Sequence, residues 1–422
     1  MPKITSPIDP NISKAEKDWP AAVVASGHQT GVNLARNLVR RGVRVLVVDC
    51  NPAADSFRSI YGTPILCPDP DVAPHEWLDF MLKLKTTLGG KAAIIAASDQ
   101  MVSAIGLHSD ALADNFYVSP SAKLQAQLAL KEGQVQSAAQ HGLPIPLTRY
   151  ASTEAEVEIF ADQCSYPCLF KPQQQRFWNA VLPGHPLYQQ KVMISANRAE
   201  LIANYRAAAE LSPQVILQEI ITGPDSNKRI HVAIYRRDGT ALGHCTTQAY
   251  RTYPKFYGVP SVSEPIADEE VAEVCDRYFR HAGYRGMCEI ELKRDDRDGQ
   301  VKMMDINPRY SGVGDAMAYA GLDHGWLHYL DLIGKPVEPV QLNHLDFRHV
   351  MVCGDAVAVR DYWLGGNLTW AELRHSYRRP IFFYDFDWAD RRIAFSTLWY
   401  VTRVFLRTCQ RYVQSGFKRG MG

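Results

Sequence analysis

Near the N-terminus, two short apolar runs are separated by a glycine-containing turn and a helix-length segment. The runs are 21–25 (AAVVA) and 43–49 (VRVLVVD); Gly27, Gly31 and the segment 32–40 lie between them. A strand, a turn, a helix and a second strand in this order predict a βαβ unit, whose two strands are parallel. The N-terminal region is therefore expected to form an α/β domain.

The same region matches the dinucleotide-binding fingerprint only in part. Gly27 and Gly31 form a GxxxG turn rather than GxGxxG, and Asp49 is the only acid at the end of the second run. This favours a doubly wound, Rossmann-like domain that binds no dinucleotide. A further apolar run, 92–97, ends at Ser98 and Asp99, and ligands collect at such carboxyl ends of open sheets.

At 422 residues the chain is long enough for about three domains. The predicted divisions are an arm over 1–20, an α/β domain over 21–121, an α+β domain over 122–338 and a C-terminal extension over 339–422.

The α+β domain is predicted from a change in pattern after Lys123. Alternating apolar and polar residues at 288–292 suit an antiparallel strand with one wet face. The Asp-Gly dipeptide within 295–300 predicts a hairpin turn to the next strand, 301–306. Antiparallel sheets are therefore expected in this part of the chain.

The chemistry concentrates around this hairpin. Glu291 precedes the turn, and Asp305, Asn307 and Arg309 follow it in the sequence MDINPR. Alternate residues of a strand share a face, so three oxygen-bearing side chains are expected on one face. Hard oxygen ligands are those that Mg²⁺ prefers, and Arg309 can hold a carboxylate or a phosphate in two-point contact.

Further residues suit a nucleotide. Lys131 begins a predicted helix and Lys171 ends the segment YPCLFK, and lysine is a mobile charge that can follow phosphate oxygens. Gln218, Glu219 and Ile220 end an apolar strand, whose backbone can meet an adenine ring while the acid takes ribose hydroxyls.

Taken in order, these motifs resemble the ATP-grasp superfamily over about 21–336, and within it the carboxylate–amine ligases that include D-aspartate ligases. The motifs are Lys131 with GLPIP, YPCLFK with Lys171, QEIITG with Glu219, GMCEIE with Glu291, and DINPR with Asp305, Asn307 and Arg309. Residues 250–259 are similar to a loop of that branch.

The resemblance implies a fold, cofactors and residue roles. The α/β domain would be the pre-ATP-grasp domain, and the ATP-grasp domain would have two parts with antiparallel sheets. ATP and Mg²⁺, with Mn²⁺ as a substitute, would be the cofactors. The implied roles are ATP-phosphate binding by Lys131 and Lys171, adenine and ribose binding by Gln218, Glu219 and Ile220, metal binding by Glu291, Asp305 and Asn307, and catalysis by Arg309, Arg251 and Asn307.

Two departures from the family pattern bear on the metal and the phosphates. Asp305 stands where the family usually has glutamate, which is one methylene longer. The glycine-rich phosphate flap is poor, because only Gly184 lies between Lys171 and Lys191.

The expected activity is ATP-dependent joining of a carboxylate to an amine through an acyl phosphate. The alternatives are an ATP-grasp enzyme with another acceptor, of the carboxylase or thiol-ligase type, and a non-catalytic ATP-binding regulator. Glu291 or Asp305 taken alone would be an ordinary solvated strand acid, because charged residues are mostly exposed. Their association with Asn307 and Arg309 favours a site.

The net charge of +1 indicates no global field for nucleic acid, so the expected partners are small-molecule carboxylate and amine substrates. A cytoplasmic protein is expected, and its oligomeric state, including a homodimer, is left open. Residues 391–422 contain several arginines and no acid. This segment is predicted to be a packed amphipathic helix; the alternative is a helix that lies on the inner face of the membrane.

Overall fold

A computed structural model of the chain describes residues 18–172, 187, 192–256 and 258–419, with side chains of the last helix described as far as 408. Most of the predicted arm and nearly all of the predicted phosphate flap lie outside the described residues. The chain divides into two compact units. The first comprises the described parts of 1–141, 224–292 and 305–422, and the second comprises those of 142–223 and 293–304.

The first unit begins with a five-stranded parallel sheet in the order β3-β2-β1-β4-β5. Its strands are β1 Ala22–Ala25, β2 Val45–Asp49, β3 Thr63–Leu66, β4 Ala92–Ala96 and β5 Phe116–Tyr117. All four residues of β1 are fully buried, as expected for a central parallel strand. The predicted α/β fold of this region is confirmed.

The turn after β1 requires glycine for a steric reason. Gly31 lies in helix α1, Gln29–Arg40, and a Cβ at this position would approach the Ser26 carbonyl oxygen to 1.8 Å. The Gly27 amide donates to Asp49 Oδ2 at 2.6 Å. The acid at the end of β2 therefore stabilises the turn.

A seven-stranded sheet has the order β14-β13-β10-β11-β12-β15-β16. Its strands are β10 Lys228–Tyr235, β11 Ala241–Tyr253, β12 Val259–Ile266, β13 Gly286–Arg294, β14 Val301–Asn307, β15 Arg348–Val350 and β16 Ile381–Phe383. The pairs β10–β11, β11–β12 and β12–β15 are antiparallel, and β16 is parallel to β15. The predicted hairpin turn is present, since the Asp295 amide donates to the Gln300 carbonyl at 2.9 Å.

The second unit contains a four-stranded antiparallel sheet in the order β6-β9-β7-β8. Its strands are β6 Thr148–Ala151, β7 Cys168–Pro172, β8 Met193–Ser195 and β9 Val215–Glu219. Phe160, Phe170 and Leu217 are fully buried in its core. Antiparallel sheets were predicted here, and this prediction is confirmed.

The helices after α1 follow in chain order. They are α2 Pro74–Leu88, α3 Asp99–Leu107, α4 Ser109–Ala113, α5 Ala122–Leu128, α6 Lys131–His141, α7 Glu154–Gln163, α8 Arg198–Ala209, α9 Glu269–His281, α10 Gly314–Tyr319, α11 His324–Leu332, α12 Val352–Leu364, α13 Trp370–Ser376 and α14 Arg391–Arg419. In the part of the chain that the structure describes, no helix is both long and apolar enough to cross a bilayer.

The loop expected over 250–259 is shorter than predicted. Residues 250–253 belong to β11, and Val259 already begins β12. The register between these strands shifts around Arg251, as at a bulge, and the pairing includes the first residues of the segment that resembles a loop.

Candidate functional site

The β13–β14 hairpin carries a line of polar contacts in which Asn307 occupies the centre. Its Nδ2 donates to Glu289 Oε1 at 2.9 Å, and its Oδ1 accepts from Arg309 Nη2 at 2.9 Å. Arg309 Nε in turn donates to Asp99 Oδ1 at 2.8 Å. Because both ends of the amide are engaged, the orientation of the Asn307 side chain is fixed.

Glu289 is a buried carboxylate in this line, with 7% of its surface exposed. Besides Asn307 it accepts a hydrogen bond from the Ser311 hydroxyl. Burial raises the pKa of Glu289, because a charge is poorly solvated there. The negative charge of the nearby Glu291 raises it further. The sequence places Glu289 two residues before Glu291 on the same strand face, but it leaves open whether this acid supports the site or is solvated.

Glu291 has a different partner. Its Oε2 lies 2.8 Å from the Lys228 ammonium, and both side chains are almost completely buried. Lys228 also donates to the Gly258 carbonyl at 2.7 Å. The predicted metal ligand therefore belongs to a buried ion pair with a cation of β10 that the sequence did not single out.

Asp305 lies two residues before Asn307 on β14 and is half-buried. Its Oδ1 accepts from Gln134 Nε2 at 2.9 Å and forms a salt bridge with Lys131. Gln134 also donates to the Ile306 carbonyl at 2.8 Å, which fixes helix α6 to this strand. The first predicted phosphate lysine is thus placed directly beside a predicted metal acid.

Arg309 is held between acids. Burial alone would lower its pKa, but the carboxylates of Asp99 and Glu289 outweigh burial and raise it. Its side chain keeps 18% exposure, so the guanidinium is oriented but not sealed off. An oriented planar cation of this kind can receive a carboxylate or phosphate group.

The donor chemistry at this hairpin fits a hard divalent cation. Glu289, Glu291, Asp305 and Asn307 supply carboxylate and amide oxygens, and a nearby cation would offset the unfavourable burial of two neighbouring acids. Within the described ranges, no group of three or more His, Cys, Asp or Glu side chains has a metal-binding arrangement. Any metal would therefore use the amide oxygen, substrate oxygens or water as well.

The other predicted nucleotide residues lie in the second unit. Lys171 is half-buried on β7. Gln218 Nε2 donates to the Thr148 hydroxyl at 3.0 Å, and Glu219 Oε1 accepts from the Ser165 amide at 2.6 Å. The Ile220 carbonyl accepts from Arg297 Nη2 at 3.0 Å. These contacts fix the end of β9 and the residue that follows it.

Arg251 belongs to a separate buried group. Its Nε and Nη2 each donate to the Asp355 carboxylate at 3.0 Å, and its Nη1 donates to the Ser376 hydroxyl at 2.6 Å. The Tyr377 hydroxyl donates to the same carboxylate. Arg251 is thus anchored to the C-terminal extension. Its predicted catalytic role stays a prediction.

Two proteins of known activity are similar in sequence. The chain is 26% identical over 232 residues to a D-aspartate ligase of Enterococcus faecium (strain Aus0004), covering 52% of this chain and 53% of that protein. It is 24% identical over 191 residues to a D-alanine–D-alanine ligase of Stutzerimonas stutzeri (strain A1501), covering 43% and 57%. The chain therefore spans little more than half the length of these relatives. No protein-family model matches it.

Solved structures share the fold. An ADP complex of N5-carboxyaminoimidazole synthetase from Staphylococcus aureus superposes with a TM-score of 0.60, at 12% identity, over 84% of this chain and 88% of that one. The biotin carboxylase domain of a Hydrogenobacter thermophilus 2-oxoglutarate carboxylase gives a TM-score of 0.57, at 14% identity, over 76% and 72%. These likenesses concern the fold alone.

The parallel N-terminal sheet, the antiparallel sheets and the two ligase similarities agree with the resemblance inferred from the motifs. The chain resembles proteins of the ATP-grasp superfamily in fold and in sequence, and its sequence similarity is to the carboxylate–amine ligase branch.

Proposed function

We propose that this protein is an ATP-dependent carboxylate–amine ligase. The observation that carries the proposal is the line Glu289–Asn307–Arg309–Asp99, in which Asn307 lies on the same strand, β14, as Asp305. It combines oxygen ligands for a cation with an oriented guanidinium for an anion, and phosphoryl transfer depends on both. The similarity to two amino acid ligases supports an amine acceptor.

The proposed roles follow the resemblance. Lys131 and Lys171 bind ATP phosphates, and Gln218, Glu219 and Ile220 bind the adenine and the ribose. Glu291, Asp305 and Asn307 hold magnesium, which when bound neutralises phosphate charge. Glu289 keeps the Asn307 oxygen directed away from its own carboxylate. Arg309, with Arg251, steadies the acyl phosphate.

The proposed reaction has two steps. A carboxylate oxygen attacks the γ-phosphorus of ATP, the bond to the β–γ bridging oxygen breaks, and an acyl phosphate and ADP form. The amine nitrogen then attacks the acyl carbon; phosphate leaves, the amine loses a proton, and an amide remains. Neither step needs a protein nucleophile, so the protein contributes positioning, charge and the exclusion of water.

The salt bridge between Lys131 and Asp305 suggests how charge is balanced before nucleotide binds. The Asp305 carboxylate is half-buried. Lys131 balances its charge, and Gln134 donates a hydrogen bond to it. A phosphate group offers Lys131 a more highly charged partner. We infer that Lys131 exchanges the carboxylate for phosphate oxygens, which frees Asp305 for the cation.

The test is a screen of ADP release from Mg-ATP with pairs of amino acids and amines. We expect release that requires both a carboxylate and an amine, and that is lost in Glu291→Gln and Asp305→Asn. Glu273→Gln, which changes an exposed acid of α9, serves as the matched control. Release that requires bicarbonate or a thiol instead would favour another acceptor. Nucleotide binding without turnover across the whole panel would favour a regulator.

A further inference from the structure

The C-terminal helix α14 uses only one of its faces to pack against the protein. Ile393, Ala394, Thr397 and Val404 are buried, and they recur with the three- and four-residue spacing of one helical stripe. These residues attach the helix to the first unit. The apolar content of the rest of the helix is therefore not needed for this packing.

A second apolar stripe on the same helix faces solvent. It contains Phe395, Leu398, Trp399, Phe405 and Leu406, and the three aromatic side chains are 68%, 60% and 65% exposed. On a helix these positions cluster on one side, because residues three, four and seven apart share a face. A contiguous exposed patch of large apolar side chains marks an interaction surface.

The stripe continues onto neighbouring elements. Trp363 of α12 and Phe405 line one predominantly apolar cavity of about 470 Å³. The Trp363 ring meets the exposed Trp370 ring edge-on, with centroids 4.9 Å apart. Together these residues extend the apolar surface beyond the helix.

A basic edge borders this surface. Arg403 and Arg407 lie one turn apart on α14 and, with Arg360, line a cavity of about 240 Å³ beside Tyr253 and Tyr400. Neither Arg403 nor Arg407 forms a salt bridge with a carboxylate of the described residues, and the chain has no acid after Asp390. The Arg403 guanidinium lies 4.4 Å from the centre of the Trp399 ring, so charge and aromatic surface are adjacent.

From this arrangement we propose that the exposed face of α14 binds the surface of an anionic phospholipid bilayer. The aromatic stripe lies at the boundary between headgroups and acyl chains, and Arg360, Arg403 and Arg407 bind lipid phosphates. The positive charge of this face favours an anionic bilayer over a second copy of the chain. Two copies meeting through this face would bring Arg403 and Arg407 of each copy together, and Asp361, an acid beside them, already pairs with Arg360.

The proposal does not depend on the ligase activity. It is tested by sedimenting the full chain with vesicles of phosphatidylcholine alone, or mixed with about one third phosphatidylglycerol. We expect at least about tenfold tighter binding to the anionic vesicles, weakened by added salt. Equal binding to both vesicle types, or no binding to either, would overturn the proposal.

Paired variants separate its two components. Arg403→Glu with Arg407→Glu is expected to weaken anionic-vesicle binding at least about tenfold, and Trp399→Ser with Phe405→Ser to weaken it similarly. Arg44→Glu with Lys83→Glu makes the same change in net charge at exposed sites elsewhere and should bind like the unmodified chain.

Two results would contradict the assignment of this face. One is vesicle binding that survives both pairs of α14 substitutions while the proteins remain folded by circular dichroism. The other is a dimer, detected by analytical ultracentrifugation without lipid, that Trp399→Ser with Phe405→Ser dissociates while vesicles bind none of the proteins. The second result would assign the stripe to another copy of the chain.

Discussion

Asn307 donates its side-chain amide to Glu289, at 2.9 Å, and not to Glu291, the acid that the sequence motif singles out. Glu291 instead pairs with Lys228. The two glutamates therefore have different roles: Glu289 orients the Asn307 amide, whose oxygen accepts from Arg309, and Glu291 pairs with a buried lysine. This division leads to different expectations for otherwise identical substitutions.

Glu289→Gln should raise the magnesium concentration needed for half-maximal turnover by about 10- to 100-fold. Loss of a residue that orients a metal ligand commonly weakens metal binding by this factor. The substitution keeps the shape of the side chain but removes the charge that fixes the Asn307 amide. ADP formation measured against magnesium concentration checks this, with Glu273→Gln as the exposed control. An unchanged magnesium dependence would show that Glu289 has only a packing role.

Arg309→Lys should lower kcat by about 100-fold, because one ammonium cannot contact Asp99, Asn307 and an anion with the geometry of the guanidinium fork. Steady-state ADP release checks this, together with a thermal melt to show that the fold is retained. Arg280→Lys, at an exposed ion pair of α9, is the matched control. A kcat within about twofold of the original enzyme would remove Arg309 from the reaction.

Asp355→Ala should destabilise the protein by about 3–5 kcal/mol, because it leaves the buried Arg251 guanidinium without its carboxylate. The free energy of unfolding from urea denaturation measures this. Glu154→Ala breaks an exposed ion pair with Arg206 and should cost far less, because solvent screens such a pair. Similar losses for the two substitutions would mean that the Arg251 group does not stabilise the C-terminal extension.

Stability should fall as the pH is lowered from 6.5 toward 4. Burial lowers the pKa of His324 and of His328 from 6.5 to about 4, so over this range the unfolded chain binds protons that the folded chain refuses. Each histidine contributes at most on the order of 3 kcal/mol to this loss. Above pH 6.5 the contribution of the two histidines to stability is present in full.

Urea denaturation at several pH values tests the histidine prediction. His328→Gln should reduce the slope of stability against pH between 4 and 6.5, whereas His281→Gln, at an exposed position, should leave it unchanged. Equal slopes for all three proteins would assign the acid sensitivity to other groups.

The sequence predicted well those features that depend on local pattern. The βαβ unit, the strand 215–219 and the Asp-Gly hairpin lie where periodicity and turn chemistry indicated, because neighbouring residues determine them. The limits of the domains stay predictions.

Contacts between residues far apart in the chain could not be predicted from the local sequence pattern. Gln134 meets Asp305, and Arg251 meets Asp355, across more than a hundred residues each. The sequence indicates only that Asp99 follows the end of a strand, whereas in the structure it accepts a hydrogen bond from Arg309. The loop expected over 250–259 from its resemblance to a ligase loop is shorter, because pairing with β12 extends β11 as far as Tyr253.

The most direct measurement of the central claim follows oxygen from the substrate to the phosphate product. A carboxylate substrate found in the ADP-release screen is labelled with ¹⁸O in its carboxyl group and turned over with Mg-ATP and the amine. We expect each phosphate released to carry one labelled oxygen, because that oxygen bridges the acyl carbon and the phosphorus in the intermediate. Phosphate released without label, while amide and ADP accumulate, would contradict an acyl phosphate and with it the proposed reaction.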